Sequence, residues 1–157
     1  MNKKIAIIGG GNLGTAIAEG LIQSGFVAPD HILITKRNLS TLRHLEEKGA
    51  LVSNDNAEAL RFANLVVLAV KPFQVDDVLG AIQPLFDENR HVLVSVVTGV
   101  STAHIHGILN KKISTVRAMP NTAVAIQQSM TCISARDITS EQLNYVKELF
   151  EIGRASC

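Results

Sequence analysis

The residues best placed to do chemistry stand at the start of the chain. Ile5-Ala6-Ile7-Ile8 is a short apolar run that ends in Gly9-Gly10-Gly11-Asn12-Leu13-Gly14, and the helical pattern Thr15-Ala16-Ile17-Ala18-Glu19-Gly20-Leu21-Ile22 follows at once. Glycines at Gly9, Gly11 and Gly14, in a strand–turn–helix setting, form the fingerprint of a dinucleotide-binding turn. Gly9 allows the tight turn out of the strand. Gly11 lets backbone approach a pyrophosphate, and Gly14 lets the helix pack closely on the strand. The free N–H groups and positive dipole end of that helix then face the phosphates. A glycine-rich turn can also be a plain strand-to-helix link, and here the flanks favour the binding site.

Other strand ends carry further candidates. Ile32-Leu33-Ile34-Thr35 ends in Lys36-Arg37-Asn38. Selection for a free ribose 2′-hydroxyl usually places an Asp or Glu near this point. Two cations and an amide stand there instead, which suits a 2′-phosphate and predicts NADP (NADPH) over NAD, with NAD possible. The plain alternative is a pair of solvated loop charges. Leu65-Val66-Val67-Leu68-Ala69-Val70 ends in Lys71-Pro72, where proline stops the ladder. Lys71 is placed to meet the cofactor ribose or nicotinamide, or is simply an exposed loop lysine. Val116-Arg117-Ala118-Met119-Pro120-Asn121-Thr122 is a strand that ends in a proline turn. It could floor a nicotinamide ring or a small polar substrate, or be an ordinary Asn/Thr turn.

The elements that must position these residues alternate. Strand-like apolar runs fall at 4–9, 31–35, 65–70, 91–97 and 114–119, with a weaker one at 50–53. Their near-continuous Val/Ile/Leu character suits strands buried on both faces of a parallel sheet. Helices are predicted over about 13–24 with Asn12 as cap and Gly25 as stop, over 40–48, over 56–62 opening at Asn56, over 74–86, over 102–109 and over 140–151. Thr139 and Gln142 have capping-box spacing, and the last helix should bury Leu143, Val146, Leu149 and Phe150. The expected fold is α/β: a Rossmann-type, doubly wound, mostly parallel sheet with helices on both faces, and residues 1–157 as one dinucleotide-binding domain.

Composition excludes several classes. Of the 157 residues 46% are apolar and the net charge is +1, which fits a globular domain and leaves no electrostatic footprint for nucleic acid. No apolar run approaches the length of a membrane span, and the opening lacks a signal-peptide layout. Cys132 and Cys157 form no CxxC pair, the five histidines make no metal pattern, and His104 and His106 are expected as surface residues. A cytoplasmic location and no metal follow as expectations.

Taken together, Ile8 to Gly14, Lys36-Arg37-Asn38, Leu68-Ala69-Val70-Lys71-Pro72, Gly99-Val100-Ser101 and Arg117-Ala118-Met119-Pro120-Asn121-Thr122 resemble the pyrroline-5-carboxylate reductase family, from Met1 to about Gly153. The resemblance implies hydride transfer from NADPH or NADH to the cyclic imine 1-pyrroline-5-carboxylate, giving L-proline. It implies that Gly9, Gly10, Gly11, Asn12, Leu13 and Gly14 hold the pyrophosphate, and that Lys36, Arg37 and Asn38 lie by the adenosine ribose. Asn56 matches a family position that contacts the cofactor. Ala69, Val70, Lys71 and Pro72 would border the nicotinamide ribose. Met119, Pro120, Asn121 and Thr122 would sit near the nicotinamide and the substrate. No residue stands out as a general acid. The chain departs from the family at Thr98, Ala123, Gln128 and Ser129. The family's helical second half, which forms its homo-oligomer and much of the substrate pocket, is not found here, so low activity alone is expected. Two other readings stay open: an NADP-binding regulatory module without turnover, and another NADP-dependent reductase related to the coenzyme F420-dependent NADP reductases.

Overall fold

Ile5-Ala6-Ile7-Ile8 offers water no polar side chain on either face, so it must lie between two apolar layers. The computed structural model, which describes residues 4–119, 130–131, 133–151 and 155–156, puts it there as β1 (Ile5–Ile8). The other strands of the main sheet are β2 (Ile32–Thr35), β3 (Leu51–Ser53), β4 (Leu65–Leu68), β5 (Val92–Ser95), β6 (Ser114–Ala118) and β8 (Ile133–Arg136). Their order is β3-β2-β1-β4-β5-β6-β8. The first six run parallel, and β8 joins β6 antiparallel with Val116 opposite Ala135. A small separate pair joins β7 (Met130–Thr131) to β9 (Ala155–Ser156).

The chain moves outward from β1 to β3 and then returns past β1 to β4. That reversal puts the switch point of the sheet between β1 and β4, where open α/β sheets bind ligands beyond the strands' carboxyl ends. Right-handed crossovers also sort the helices onto the two faces. On one face lie α1 (Asn12–Ser24), α2 (Arg43–Glu47) and α6 (Ser140–Glu151), whose Ile17, Leu21, Leu45, Leu149 and Phe150 pack with Ile5, Ile7, Ile34 and Val67. On the other lie α3 (Asn56–Phe62), α4 (Val75–Ile82) and α5 (Thr102–Leu109), whose Leu60, Leu79 and Ile105 pack with Ala6, Ile8, Val66 and Leu93. Alternate residues of β1, β2, β4 and β5 therefore feed two separate cores.

Most expected elements form, with informative differences at their ends. The strands are shorter than the apolar runs: β4 stops at Leu68, four residues before Pro72, so proline is not what ends it. Val96 and Val97 stay buried although β5 ends at Ser95. The expected helix over 40–48 opens as a tighter 3₁₀ turn, Leu39–Leu42, and the one over 74–86 is α4 flanked by 3₁₀ turns at Pro72–Gln74 and Gln83–Leu85. The helix expected over 56–62 forms with those bounds as α3, opening at Asn56. Asp55 is the cap, and its side chain accepts from the Ala57 N–H at 3.0 Å. The Thr139–Gln142 box closes in both directions at 3.1 Å. Leu143 is only half-buried, while Val146, Leu149 and Phe150 are buried as expected. The antiparallel β8 lies outside the expected pattern. His106 is half-buried, not a surface residue, with Nε2 2.9 Å from the Thr115 hydroxyl. His104 is exposed and pairs with Asp76 at 2.7 Å.

His91 is 2% exposed and gives the domain an acid-sensitive joint. Its Nδ1 accepts the Asp87 N–H at 2.9 Å, and its Nε2 lies 2.8 Å from the Leu60 carbonyl, where it donates. Both nitrogens are used by the neutral ring, and a second proton would face a backbone N–H. Burial pulls the imidazole below its ordinary value, and Arg90 and Lys111 push the same way against the Leu60 carbonyl and Asp87. The unfolded chain then binds the proton first. Stability is full above the ordinary histidine value and falls as pH drops through it toward the lowered one. Thermal melting should show a midpoint that declines from about pH 7.5 to about pH 5.5, and His91→Gln should flatten that slope. An unchanged slope in the variant would assign the acid sensitivity elsewhere.

Candidate functional site

The turn after β1 is built by backbone. Gly9 adopts φ +109°, which its lack of a side chain permits, and donates its N–H to the Thr35 carbonyl at 3.2 Å. Ala69 reaches across from beyond β4 and donates to the Ile8 carbonyl at 2.8 Å. The chain then enters α1 through Gly11, which caps it without a side chain. Asn12 is thus not the cap, as its type suggested, but the first helical residue. The Thr15 N–H finds the Gly11 carbonyl at 2.9 Å, and the N–H groups of Asn12, Leu13 and Gly14 precede any carbonyl that the helix can offer. No acidic residue occupies this first turn. The result is an uncapped N-terminus that attracts negative charge.

A cleft of about 570 Å³ opens at that terminus, lined by Gly10, Gly11, Asn12, Thr15, Ala16, Glu19, Lys36, Thr41 and His44. A methyl group built on Gly11 would meet no atom within 4 Å, so the wall there is bare backbone facing open space. At Gly10 the same methyl would lie 2.8 Å from Leu42 and 3.2 Å from Lys36, so its small size serves packing between the turn and the start of α2. Lys36, the residue after β2, lines the cleft. At the outer end His44 on α2 pairs with Glu19 on α1 at 3.1 Å. A single cation, a bare backbone turn and an uncapped helix end converge here, which is the donor set that a phosphate ester requires.

Only part of the expected set meets in this cleft: Gly10, Gly11, Asn12 and Lys36. Gly9 and Gly14 shape it from beneath, and Leu13 is half-buried beside it. Arg37 and Asn38 are exposed on the adjoining loop, and the Asn38 carboxamide oxygen is committed to Ser40, accepting from its N–H at 3.1 Å and its hydroxyl at 2.6 Å. Asn56 stands at the carboxyl end of β2, where it accepts the Thr35 hydroxyl at 2.6 Å. Ala69, Val70, Lys71 and Pro72 follow β4 on the same sheet edge, with Ala69 and Val70 half-buried and Lys71 and Pro72 exposed. The Lys71 N–H is tied to the Gln74 side chain at 3.0 Å. Met119, 56% exposed, marks the end of β6, while Pro120, Asn121 and Thr122 lie outside the described residues. Thr15, Ala16, Glu19, Thr41 and His44 were not anticipated. Helical spacing from Asn12 places Thr15, Ala16 and Glu19 on its own face, a signal that was there to be used. Among the described residues no group of three or more His, Cys, Asp or Glu is placed to hold a metal ion. Nor is any helix there long and apolar enough to cross a membrane.

Residues 4–99 match the protein family described as NADP oxidoreductase, coenzyme F420-dependent. Among curated proteins, pyrroline-5-carboxylate reductase 1 of Dictyostelium discoideum is 42% identical over 140 residues, covering 89% of this chain and 25% of that protein. The pyrroline-5-carboxylate reductase of Corynebacterium melassecola is 35% identical over 149 residues, covering 92% of this chain and 55% of its own length. Among solved structures, a pyrroline-5-carboxylate reductase from Coxiella burnetii superposes with a TM-score of 0.91 at 32% identity, over 99% of this chain and 58% of the other. The Plasmodium falciparum pyrroline carboxylate reductase, solved with NADP bound, gives 0.86 at 21% identity over 99% and 57%, and shows the same fold. The chain thus spans from a quarter to a little over half the length of these relatives.

Proposed function

Because this chain belongs to the pyrroline-5-carboxylate reductase family, we propose that it is the NADP(H)-binding part of an enzyme that reduces 1-pyrroline-5-carboxylate to L-proline in the cytoplasm. The observation that carries the reading is the start of α1, without a side-chain cap, beside a cleft that Lys36 also lines. The relatives' remaining length would supply the rest of the substrate pocket and the contacts between subunits.

When bound, NADPH would supply the hydride to the imine carbon, the C=N π pair remaining on a nitrogen that is already protonated as the iminium. The chain's own residues do the holding. The N–H groups of Asn12, Leu13 and Gly14 and the bare Gly11 backbone would take the pyrophosphate. Lys36, with Arg37 and Asn38 on the margin, would take the adenosine ribose and its 2′-phosphate. Ala69 to Pro72 on the β4 edge would border the second ribose, and Met119 to Thr122 the reacting end. Positioning of this kind lowers the barrier by fixing donor and acceptor carbons, without a strong protein acid.

The test is a titration of the chain with NADPH and NADH, followed by an assay with pyrroline-5-carboxylate. NADPH should bind more tightly than NADH, and its oxidation by this chain alone should be slow. Equal binding of the two would remove the 2′-phosphate assignment. Brisk turnover would show that residues within this chain complete the substrate site. Because the matching family description also names coenzyme F420, reduced F420 with NADP belongs in the same assay as the competing donor, and turnover there would replace the proline reading.

A further inference from the structure

Asn56 opens α3 at the sheet's carboxyl edge, yet its side chain is not needed to cap that helix, since Asp55 already does so. It is held instead from β2, where the Thr35 hydroxyl donates to the Asn56 Oδ1 at 2.6 Å. Thr35 is 1% exposed, so water does not compete for that hydroxyl. The Thr35 main chain is pinned as well, its carbonyl accepting the Gly9 N–H of the phosphate turn at 3.2 Å. With its oxygen engaged, Asn56 has only the two N–H bonds of Nδ2 left to offer, and these have no partner among the described residues. Nδ2 is not shut off from solvent, so its two N–H bonds can meet an acceptor that a ligand brings. The next residue after Thr35 is Lys36, which lines the cleft.

We propose that Thr35 is a positioning residue that locks the Asn56 carboxamide with its N–H groups outward, so that this end of the site accepts only hydrogen-bond acceptors, as on the ribose or the base of an adenosine. The proposal rests on the NADP(H) reading above and adds the element that decides which polarity of group fits. A carboxamide free to flip would offer oxygen or nitrogen with little preference. Locked, it discriminates for acceptors and arrives at the ligand with its rotamer already chosen, which removes an ordering cost from binding.

The experiment compares Thr35→Val, Thr35→Ser, Asn56→Ala and the Thr35→Val/Asn56→Ala pair in the whole chain. It reads affinity for NADPH and for 2′-phospho-ADP-ribose, with thermal melting alongside. Thr35→Val should weaken both ligands about tenfold, and Thr35→Ser should stay within about twofold of the parent. Once Asn56 is alanine, Thr35→Val should cost binding nothing further. Parent-like binding by Thr35→Val overturns the proposal, and so does a loss that persists undiminished in the Asn56→Ala background. Should Thr35→Val fail to fold, Thr35→Ser and Asn56→Ala still decide, because a loss with serine as large as that with alanine contradicts a hydroxyl-held amide. If the parent chain binds neither ligand, the NADP(H) reading itself fails, which is a different result from a parent that binds and a valine variant that binds equally.

Discussion

Gly14→Ala should cost the domain about 3 kcal/mol or more, at the upper end of what overpacking does, and leave little folded protein at 37 °C. The added methyl would coincide with the Gly9 carbonyl oxygen and lie 3.1 Å from the Gly9 carbonyl carbon and 3.3 Å from Ile7 Cγ2. None of these can give way. Gly9 is fixed at φ +109° by its bond to Thr35, and Ile7 is fully buried in the core that α1 covers. The helix would have to lift off β1. Gly11→Ala is the control, since its methyl meets nothing within 4 Å and its φ of −77° suits any residue. That variant should melt within a few degrees of the parent yet bind NADPH at least about tenfold more weakly, because the methyl occupies the space into which the phosphates must come. Melting curves and a nucleotide titration on both variants check the pair. A stable Gly14→Ala would mean that α1 sits farther from β1 than described.

Replacing Lys36 and Arg37 together by serine should lower NADPH affinity about a hundredfold and change NADH affinity no more than about threefold, since each charge-assisted contact to a phosphate is worth roughly 1.5–3 kcal/mol before solvent screening. The two lysine and arginine positions should not contribute equally. Lys36 lines the cleft while Arg37 stands exposed beside it, so salt should screen the Arg37 share more. Fluorescence titrations at low and high salt separate the two. Equal losses for both nucleotides would place the cations on the pyrophosphate instead, and no loss would return them to solvent. Glu19 is relevant to the same measurement. Its carboxylate on the cleft wall lies 3.1 Å from His44 Nε2, and Glu19→Gln should strengthen nucleotide binding by removing a negative charge from that wall.

Much of this was legible because the signals were local. The β1 turn and α1 follow from glycine spacing set between a strand period and a helix period, and α5 and the Thr139–Gln142 box of α6 follow from neighbours three or four residues apart. The misjudged ends share one cause. Apolar residues continue past the strand ends at Ala69, Val70, Val96 and Val97, and the Ala69 and Val96 N–H groups still reach the Ile8 and Leu68 carbonyls, so pairing and burial both run on beyond the regular strand. The α1 cap was misread for a related reason. Propensity favours an asparagine cap, whereas a site for an anion is served by leaving the N–H groups open. β8 escaped because Ile133-Ser134-Ala135-Arg136 is a short edge strand whose place is set by pairing with β6. Contacts such as Thr35 with Asn56, His44 with Glu19 and His91 with Leu60 join residues that only the topology brings together, and no periodicity announces them.

The central place of β1 has a consequence for how the chain comes off the ribosome. β1 is made before its sheet neighbours, but it is complete only when both β2 and β4 flank it. The glycine turn needs Thr35 on one side and Ala69 on the other, the latter bonded to the Ile8 carbonyl at 2.8 Å. The glycine turn therefore cannot close until β4, made well after it, has been translated and has left the exit tunnel. Until then an apolar tetrapeptide and an uncapped helix start wait without their partners, in a parallel topology that pairs slowly. Synonymous changes that slow translation just after β4 would give this turn time to close before the distal half of the sheet competes for the same edge.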